Sequence, residues 1–335
     1  MHIRLSRLIF IHLAVVILMA GCGVPKNKFR LDGKFKHLRS ADIFIYSDAF
    51  FDTLHIRDGK FSFEHTLTAP EVYTIMYPDF SERKVIAEPG RKARFTTDAN
   101  DLSRTRVKGT DENDLLTDFY IDISTKHGAQ VMAAARKFVA AHPETLAAEA
   151  VFRSFILSDP KVEGPGTIAL IEKMQQARRG DRRLRDFAAT VTPRLRTLPG
   201  AAAPEVRFRS FEGKDLRLSQ FRGRWLLITY WATWQYDSFQ QVRSLKRMVR
   251  PYGVRLALVN VCLDIDTRSF RNTLRRDTVP QYNVCDRMAW RSPLVQAFGV
   301  QNVPSCLLIT PGGKVAERDI ASNDLAARLQ HYLNP

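Results

Sequence analysis

Cysteine is scarce in this chain. Four occur in 335 residues, Cys22, Cys262, Cys285 and Cys306, and none lies between 22 and 262. With Cys22 set aside, three remain, so at least one thiol stays single unless a partner supplies the second sulfur. Histidine is thin as well. His331 is the only one after His142, which leaves the C-terminal part without a Cys/His cluster for a metal and without a Ser–His arrangement for acyl transfer. His127 and His142 stand alone and fit surface or capping roles. No Gly-rich phosphate loop is present, and beyond the N-terminus no apolar run is long enough to cross a membrane. Acidic residues are outnumbered, 35 against 51 Lys and Arg, for a formal charge of +16. That excess favours anionic surfaces such as lipid headgroups, phosphorylated glycolipid or nucleic acid. The basic residues are spread along the whole chain, with no run interleaved with aromatics and no nucleic-acid module. The charge is therefore taken as a general surface property, and no nucleic-acid partner, metal or cofactor is expected.

The N-terminus carries a signal. "MHIRLSRLIFIHLAVVILMAGC" places Arg4 and Arg7 before an apolar run from Leu8 to Ala20, then small residues and Cys22. The run is short for a membrane span and fits the core of a secretory leader over 1–21. Ala20-Gly21-Cys22 resembles a bacterial lipoprotein cleavage box, with Met19 in place of the more usual Leu or Val, so Cys22 is the candidate lipidation site. A lipidated tether over 22–27 would hold the protein at a membrane surface of the cell envelope, facing the periplasm or the cell exterior. Export also implies an oxidising compartment.

Residues 28–112 are β-rich. "TLHIRDGKFSFEHTL" predicts a hairpin with Asp58-Gly59 as its two-residue turn, setting Ile56 opposite Phe61 and Leu54 opposite Phe63. "ADIFIYS" and "RKARFTTD" alternate in the same way, and a small antiparallel, sandwich-like domain is expected. From 113 to 199 the period becomes helical, with Ala147, Val151 and Phe155 at spacing four and Pro143 where a first turn tolerates it. This stretch is expected to be a helical connector. After the linker "RTLPGAAAPE" strands and helices alternate: "RWLLITYWA" is a continuous apolar strand of the buried parallel type, "VRLALVNVCLD" and "QYNVCD" follow, and "VPSCLLIT" comes late. An α/β domain over 200–335 is expected.

From about Ala203 onward this chain resembles the thioredoxin-like, membrane-tethered thiol–disulfide oxidoreductases of the bacterial envelope, the TlpA-like or redoxin type. The resemblance rests on "APEVRFRSFEGKDLRLSQFRGRWLLITYWATW", "VNVCLD" and "QAFGVQNVPSCLLITPGGKV", in that order. Residues 28–110 and the helices after them look like the extension of uncharacterised function that often precedes such domains. The resemblance implies Cys-x-x-Cys at a helix N-terminus, where the dipole and free N–H groups favour a thiolate. Here those positions are Gln235 and Ser238, and Ser238 is expected to serve as a helix cap. Gln241 stands where the family carries a proton-moving Glu, and Arg243 where it carries Pro. A peroxidase variant would need Cys near Thr233 and has none. What the resemblance still supplies is a cis-proline at Val303-Pro304, next to which an extended polypeptide can pair, with Trp231, Trp234 and Tyr236 around the same turn. These residues make either a peptide groove or, more plainly, core and surface residues that the fold requires.

Three readings of function stay open. In the first, an envelope-anchored, redox-inactive thioredoxin-like module binds polypeptide or a protein partner. In the second, a thiol–disulfide oxidoreductase or redox helper works through Cys262, Cys285 or Cys306. In the third, the N-terminal β domain binds and the thioredoxin-like domain is scaffold. Strands about 4.8 Å apart put Cys306 and Cys262 roughly 9–10 Å from each other, beyond the reach of about 7 Å for a disulfide. Cys262 and Cys285, at the carboxyl ends of neighbouring strands, are the better pair, either as a disulfide or as two small buried apolar groups.

Overall fold

The computed structural model describes residues 24–277 and 281–333. The expected leader and the Cys22 lipidation site fall outside them. The chain divides into two compact units, the first running to 162 and including 176–178, the second formed by 163–175 and 179 onward.

The first unit is built on eight strands: β1 (Lys28–Lys36), β2 (Ser40–Tyr46), β3 (Phe51–Arg57), β4 (Lys60–Thr66), β5 (Glu71–Met76), β6 (Glu82–Ala87), β7 (Lys92–Asp98) and β8 (Asp101–Lys108). They belong to a single sheet in the order β6-β5-β2-β3-β4-β1-β7-β8, where two facing sheets were expected. The sheet is mixed, because β1 pairs with β7 in parallel. Residues alternate between the two faces, and Phe29, Leu31, Ile43, Ile45, Leu54, Ile56, Phe61, Phe63 and Phe95 meet in one core. The hairpin turn lies at Asp58-Gly59 with both φ values positive, 49° and 70°, as a two-residue turn of this kind requires. Only Arg57 and Lys60 are paired across it; β3 then follows β2, and β4 follows β1. The four predicted hairpin side chains still share the core.

Helix α1 (Asp111–Ile123) starts on Thr110, whose side chain accepts from the Asn113 N–H. Its polar side chains complete two strands. Asn113 accepts from the Ile86 N–H and donates to the Ile86 carbonyl, while Thr117 does the same for Val107. These are the end strands β6 and β8, so the helix covers groups that would otherwise be open edges. Helix α2 (Ala129–Ala141) follows, and α3 (Leu146–Val151) begins where the Glu112 carboxylate accepts from the N–H groups of Leu146 and Ala147. Arg83, buried on β6, donates to the Leu102 and Ser103 carbonyls of β8 and lies 3.9 Å from the centre of the Tyr120 ring, a cation–π contact.

The second unit holds α4 (Gly164–Ala177) for most of its length and α5 (Arg182–Arg196). The sequence groups 113–199 as one connector; the structure divides those helices between the units. A buried cation fastens the C-terminal end of α5. Arg318 donates to the Arg194, Thr197 and Phe298 carbonyls and to Thr197 Oγ1, 2.6 Å away. The helix also buries an apolar face at helical spacing, Leu184, Ala188, Val191 and Leu195.

After a short hairpin, β9 (Arg207–Arg209) and β10 (Asp215–Arg217), the main sheet is formed by β11 (Trp225–Trp231), β12 (Leu256–Cys262), β13 (Tyr282–Val284), β14 (Ser305–Ile309) and β15 (Val315–Arg318). The order is β13-β12-β11-β14-β15, with β11, β12 and β13 parallel and β14 antiparallel to β11. Both faces are covered, as the continuous apolar strands require. Val242 and Leu245 of α6 (Tyr236–Val249), Phe270 of α7 (Thr267–Asp277), and Leu325 and Leu329 of α9 (Leu325–Leu333) pack on one face. Leu294, Val295 and Phe298 of α8 (Pro293–Phe298) pack on the other. A buried polar ladder sets the register: Thr229 Oγ1 donates to Asn260 Oδ1, and Asn260 Nδ2 donates to Asn283 Oδ1.

Candidate functional site

Strand β11 brings the chain up through the core and delivers it, at Trp231, to the turn that opens α6. Trp231 is fully buried and its indole N–H has no hydrogen-bond partner among the described residues. The next residues leave the core abruptly. Trp234 is 62% exposed and Tyr236 74%. What holds the turn is Asp264, just beyond β12, whose carboxylate accepts from the Thr233 N–H at 3.0 Å and the Thr233 hydroxyl at 2.7 Å. Asp264 was missed in the sequence. The available signal was an acid two residues past a buried parallel strand, at the sheet edge where sites collect.

The helix start is capped in an unexpected way. Ser238 does not cap it: the residue is buried, and its hydroxyl has no hydrogen-bond partner among the described residues. Gln235 is the N-cap, with extended backbone, and its own Oε1 accepts from the Ser238 N–H at 2.5 Å. The reason is reach. Gln235 precedes the first helical residue, so its side chain can bend back onto the free N–H groups, whereas Ser238 already sits inside the first turn facing the core. An N–H that could favour an anion at this helix end is thereby occupied by a neutral amide.

Behind the turn runs a second polar thread. Gln241, buried on α6, donates through Nε2 to the sulfur of Cys306 and accepts through Oε1 from the Ser322 hydroxyl at 2.7 Å. Cys306 lies on β14, directly after the cis peptide Val303-Pro304 and Ser305. Strand β14 pairs with β11 through Tyr230 and Ser305, so the segment carrying the cis-proline arrives beside the base of the turn. Val303 packs against the core. Burial pushes the Cys306 thiol up to about 12, with the Gln241 N–H pulling weakly the other way. It is a poor nucleophile at neutral pH.

The three C-terminal cysteines are all free thiols and all buried. Register explains which of them meet. Cys306 sits opposite Thr229 and Cys262 opposite Trp231, which separates them along the strands as well as across them. Cys262 and Cys285 lie one rung beyond the paired Val261 and Val284, and both belong to the same buried cluster on one face of the sheet. Burial pushes the Cys262 thiol strongly up, while the hydrogen bond from Cys262 draws Cys285 below the ordinary thiol range. The Cys285 thiol donates to the Asp264 carbonyl at 3.6 Å. Beside it opens a cavity of about 450 Å³ lined by Phe208, Arg209, Phe211, Val284, Cys285 and Met288, among others. No cluster of three or more potential metal ligands occurs among the described residues, and no helix there is long and apolar enough to cross a membrane.

Comparison with known proteins agrees with this layout. Residues 29–116 match the model "Domain of unknown function (DUF4369)". The thiol-disulfide oxidoreductase ResA of Geobacillus thermodenitrificans is 27% identical over 135 residues, covering 38% of this chain and 73% of ResA. The thioredoxin-like protein YneN of Bacillus subtilis is 27% identical over 62 residues, covering 18% of this chain and 36% of YneN. Among solved structures, a thiol-disulfide oxidoreductase from Bacteroides fragilis is 29% identical, with a TM-score of 0.37, covering 39% of this chain and 99% of that one. The C-terminal part of the chain is thioredoxin-like, and its curated relatives include thiol-disulfide oxidoreductases by name.

Proposed function

We propose that this thioredoxin-like chain is an envelope module, tethered to a membrane through lipidated Cys22, whose α6 turn holds an extended polypeptide segment without redox chemistry. One observation carries the reading. Where Cys-x-x-Cys would open the helix, Gln235 turns its amide back onto the Ser238 N–H and Ser238 is buried. Amide and hydroxyl cannot exchange electrons with a disulfide, which requires a thiolate. The features suited to holding a chain persist at the same place: the exposed rings of Trp234 and Tyr236, and the cis Val303-Pro304 segment leading into β14. Aromatic rings give contact area at low entropic cost, and backbone beside a strand gives hydrogen bonds that any sequence can use.

Binding of an unfolded, fully alkylated polypeptide to the full chain tests this directly. Indole fluorescence should report saturable binding, weakened at least ~10-fold in Trp234→Ala with Tyr236→Ala, since an interface anchor contributes upward of ~1.4 kcal/mol. Unchanged affinity in that double variant would remove the turn from consideration and shift attention to the N-terminal β domain.

A further inference from the structure

The three thiols differ in their access to solvent. Cys306 is enclosed by the core and held by Gln241. Cys262, at the end of β12, is 2% exposed. Cys285 is 9% exposed, and it lines the 450 Å³ cavity. The Thr229–Asn260–Asn283 ladder locks β11, β12 and β13 in register, and that register sets Cys262 and Cys285 side by side one rung past Val261 and Val284. Neighbouring strands lie about 4.8 Å apart, inside the roughly 4.4–6.8 Å Cα separation that a disulfide spans.

We infer that Cys285 and Cys262 form a dithiol exchange site, separate from the α6 turn, that takes a low-molecular-weight disulfide from the cavity beside β13. Cys285 is the attacking sulfur. It lines the cavity and is the more exposed of the two sulfurs, while Cys262 lies behind it in the same buried cluster. Cys262 is the resolving sulfur, because it is 2% exposed, sits beside Cys285 and is not among the residues that line the cavity.

The exchange balances without any further reagent. The Cys285 thiolate attacks one sulfur of the small disulfide; that S–S bond breaks, a bond from Cys285 to the sulfur forms, and the other half leaves as a thiolate. The Cys262 sulfur then attacks Cys285. The mixed disulfide breaks, the Cys262–Cys285 bond forms, and the second half leaves as a thiolate. The two protein thiols lose two electrons, the small disulfide gains them, and the two cysteine protons end on the two released thiols. Size sets the substrate class. A cavity of this volume takes a small molecule, while a disulfide held in a folded protein cannot be brought to a sulfur as enclosed as Cys285.

The site goes beyond the polypeptide-binding reading and does not depend on it. The test uses the reduced full chain, incubated anaerobically with oxidised glutathione, quenched by alkylation and mapped by mass spectrometry without reductant. A bridged Cys262–Cys285 peptide should accumulate while Cys306 remains alkylatable only after unfolding. Cys262→Ser should stop at a single glutathionyl adduct on Cys285. Cys285→Ser should slow the consumption of glutathione disulfide by more than ~10-fold, whereas Cys306→Ala should leave it unchanged. Circular dichroism checks that each variant is folded, and the mapping of the unaltered chain needs no variant at all. Alkylatable thiols at both 262 and 285, under conditions that oxidise the unfolded chain, overturn the proposal. So does an adduct that settles on Cys262 or Cys306 first.

Discussion

Two places in the second unit invite comparison: the turn that opens α6, and the edge where β12 and β13 end. The turn has the exposure and the helix end that sulfur chemistry uses, but it has no sulfur. Trp234 and Tyr236 stand in solvent there, and the free N–H of Ser238 is taken by the Gln235 amide. The sheet edge has two neighbouring sulfurs, but little exposure. A thiolate, a donor to hold it and a route to a partner are three separate requirements, and a scaffold can keep some while losing others. Asp264 links the two places physically. Its carboxylate holds Thr233 of the turn, and its carbonyl faces Cys285.

The sharpest way to break this contrast is to return sulfur to the turn. Gln235→Cys with Ser238→Cys should create dithiothreitol-driven insulin reduction above the uncatalysed rate, because a helix N-terminus favours a thiolate even with Gln241 in place of the family's Glu. Failure in a folded double variant would mean that the turn geometry itself has been lost. Next in size is the core beneath it. Trp231→Ala should cost about 3–5 kcal/mol in chemical denaturation, as large aromatic truncations do. Gln241→Leu should cost about 1–3 kcal/mol, because the half-buried Ser322 hydroxyl loses its acceptor and the buried Cys306 its donor. Gln241→Glu gives the same position a pH dependence. Burial holds the folded carboxyl above its unfolded value, so the variant is closest to the parent in stability below about pH 4 and falls behind as pH rises through the folded pKa. Melting temperatures at acid and neutral pH check that direction. Gln235→Ala removes the cap and should cost about 0.5–2 kcal/mol. Trp234→Ala should change stability by less than about 0.5 kcal/mol and show itself only in binding.

Local signals carried much of this architecture. The run from Trp225 to Trp231, apolar but for Thr229, is a buried parallel strand because both of its faces are covered, and Asp58-Gly59 is a turn because both residues take positive φ. Pairing between distant segments was out of reach. Nothing in "KFRLDGKFK" announces a parallel partner at Lys92–Asp98, and the single eight-stranded sheet follows from that pairing. The division of the helices was hidden for a similar reason: Arg318 reaches α5 across more than a hundred residues of chain. At the site, the loss of Cys-x-x-Cys was plain in the letters, but which residue caps α6 depends on where the helix begins, and that shift exchanged the expected roles of Gln235 and Ser238. Cys262 and Cys285 were legible as neighbours once both were placed at strand ends; the cavity beside Cys285 was not, since Phe208 and Phe211 come from the β9 region far upstream.

The central claim, that this chain exchanges no electrons with polypeptide disulfides, is tested most directly by measuring insulin reduction by the unaltered full chain in the presence of dithiothreitol. The rate should match that of dithiothreitol alone at every protein concentration. Turnover proportional to protein, and abolished by Cys262→Ala or Cys285→Ala, would contradict the account.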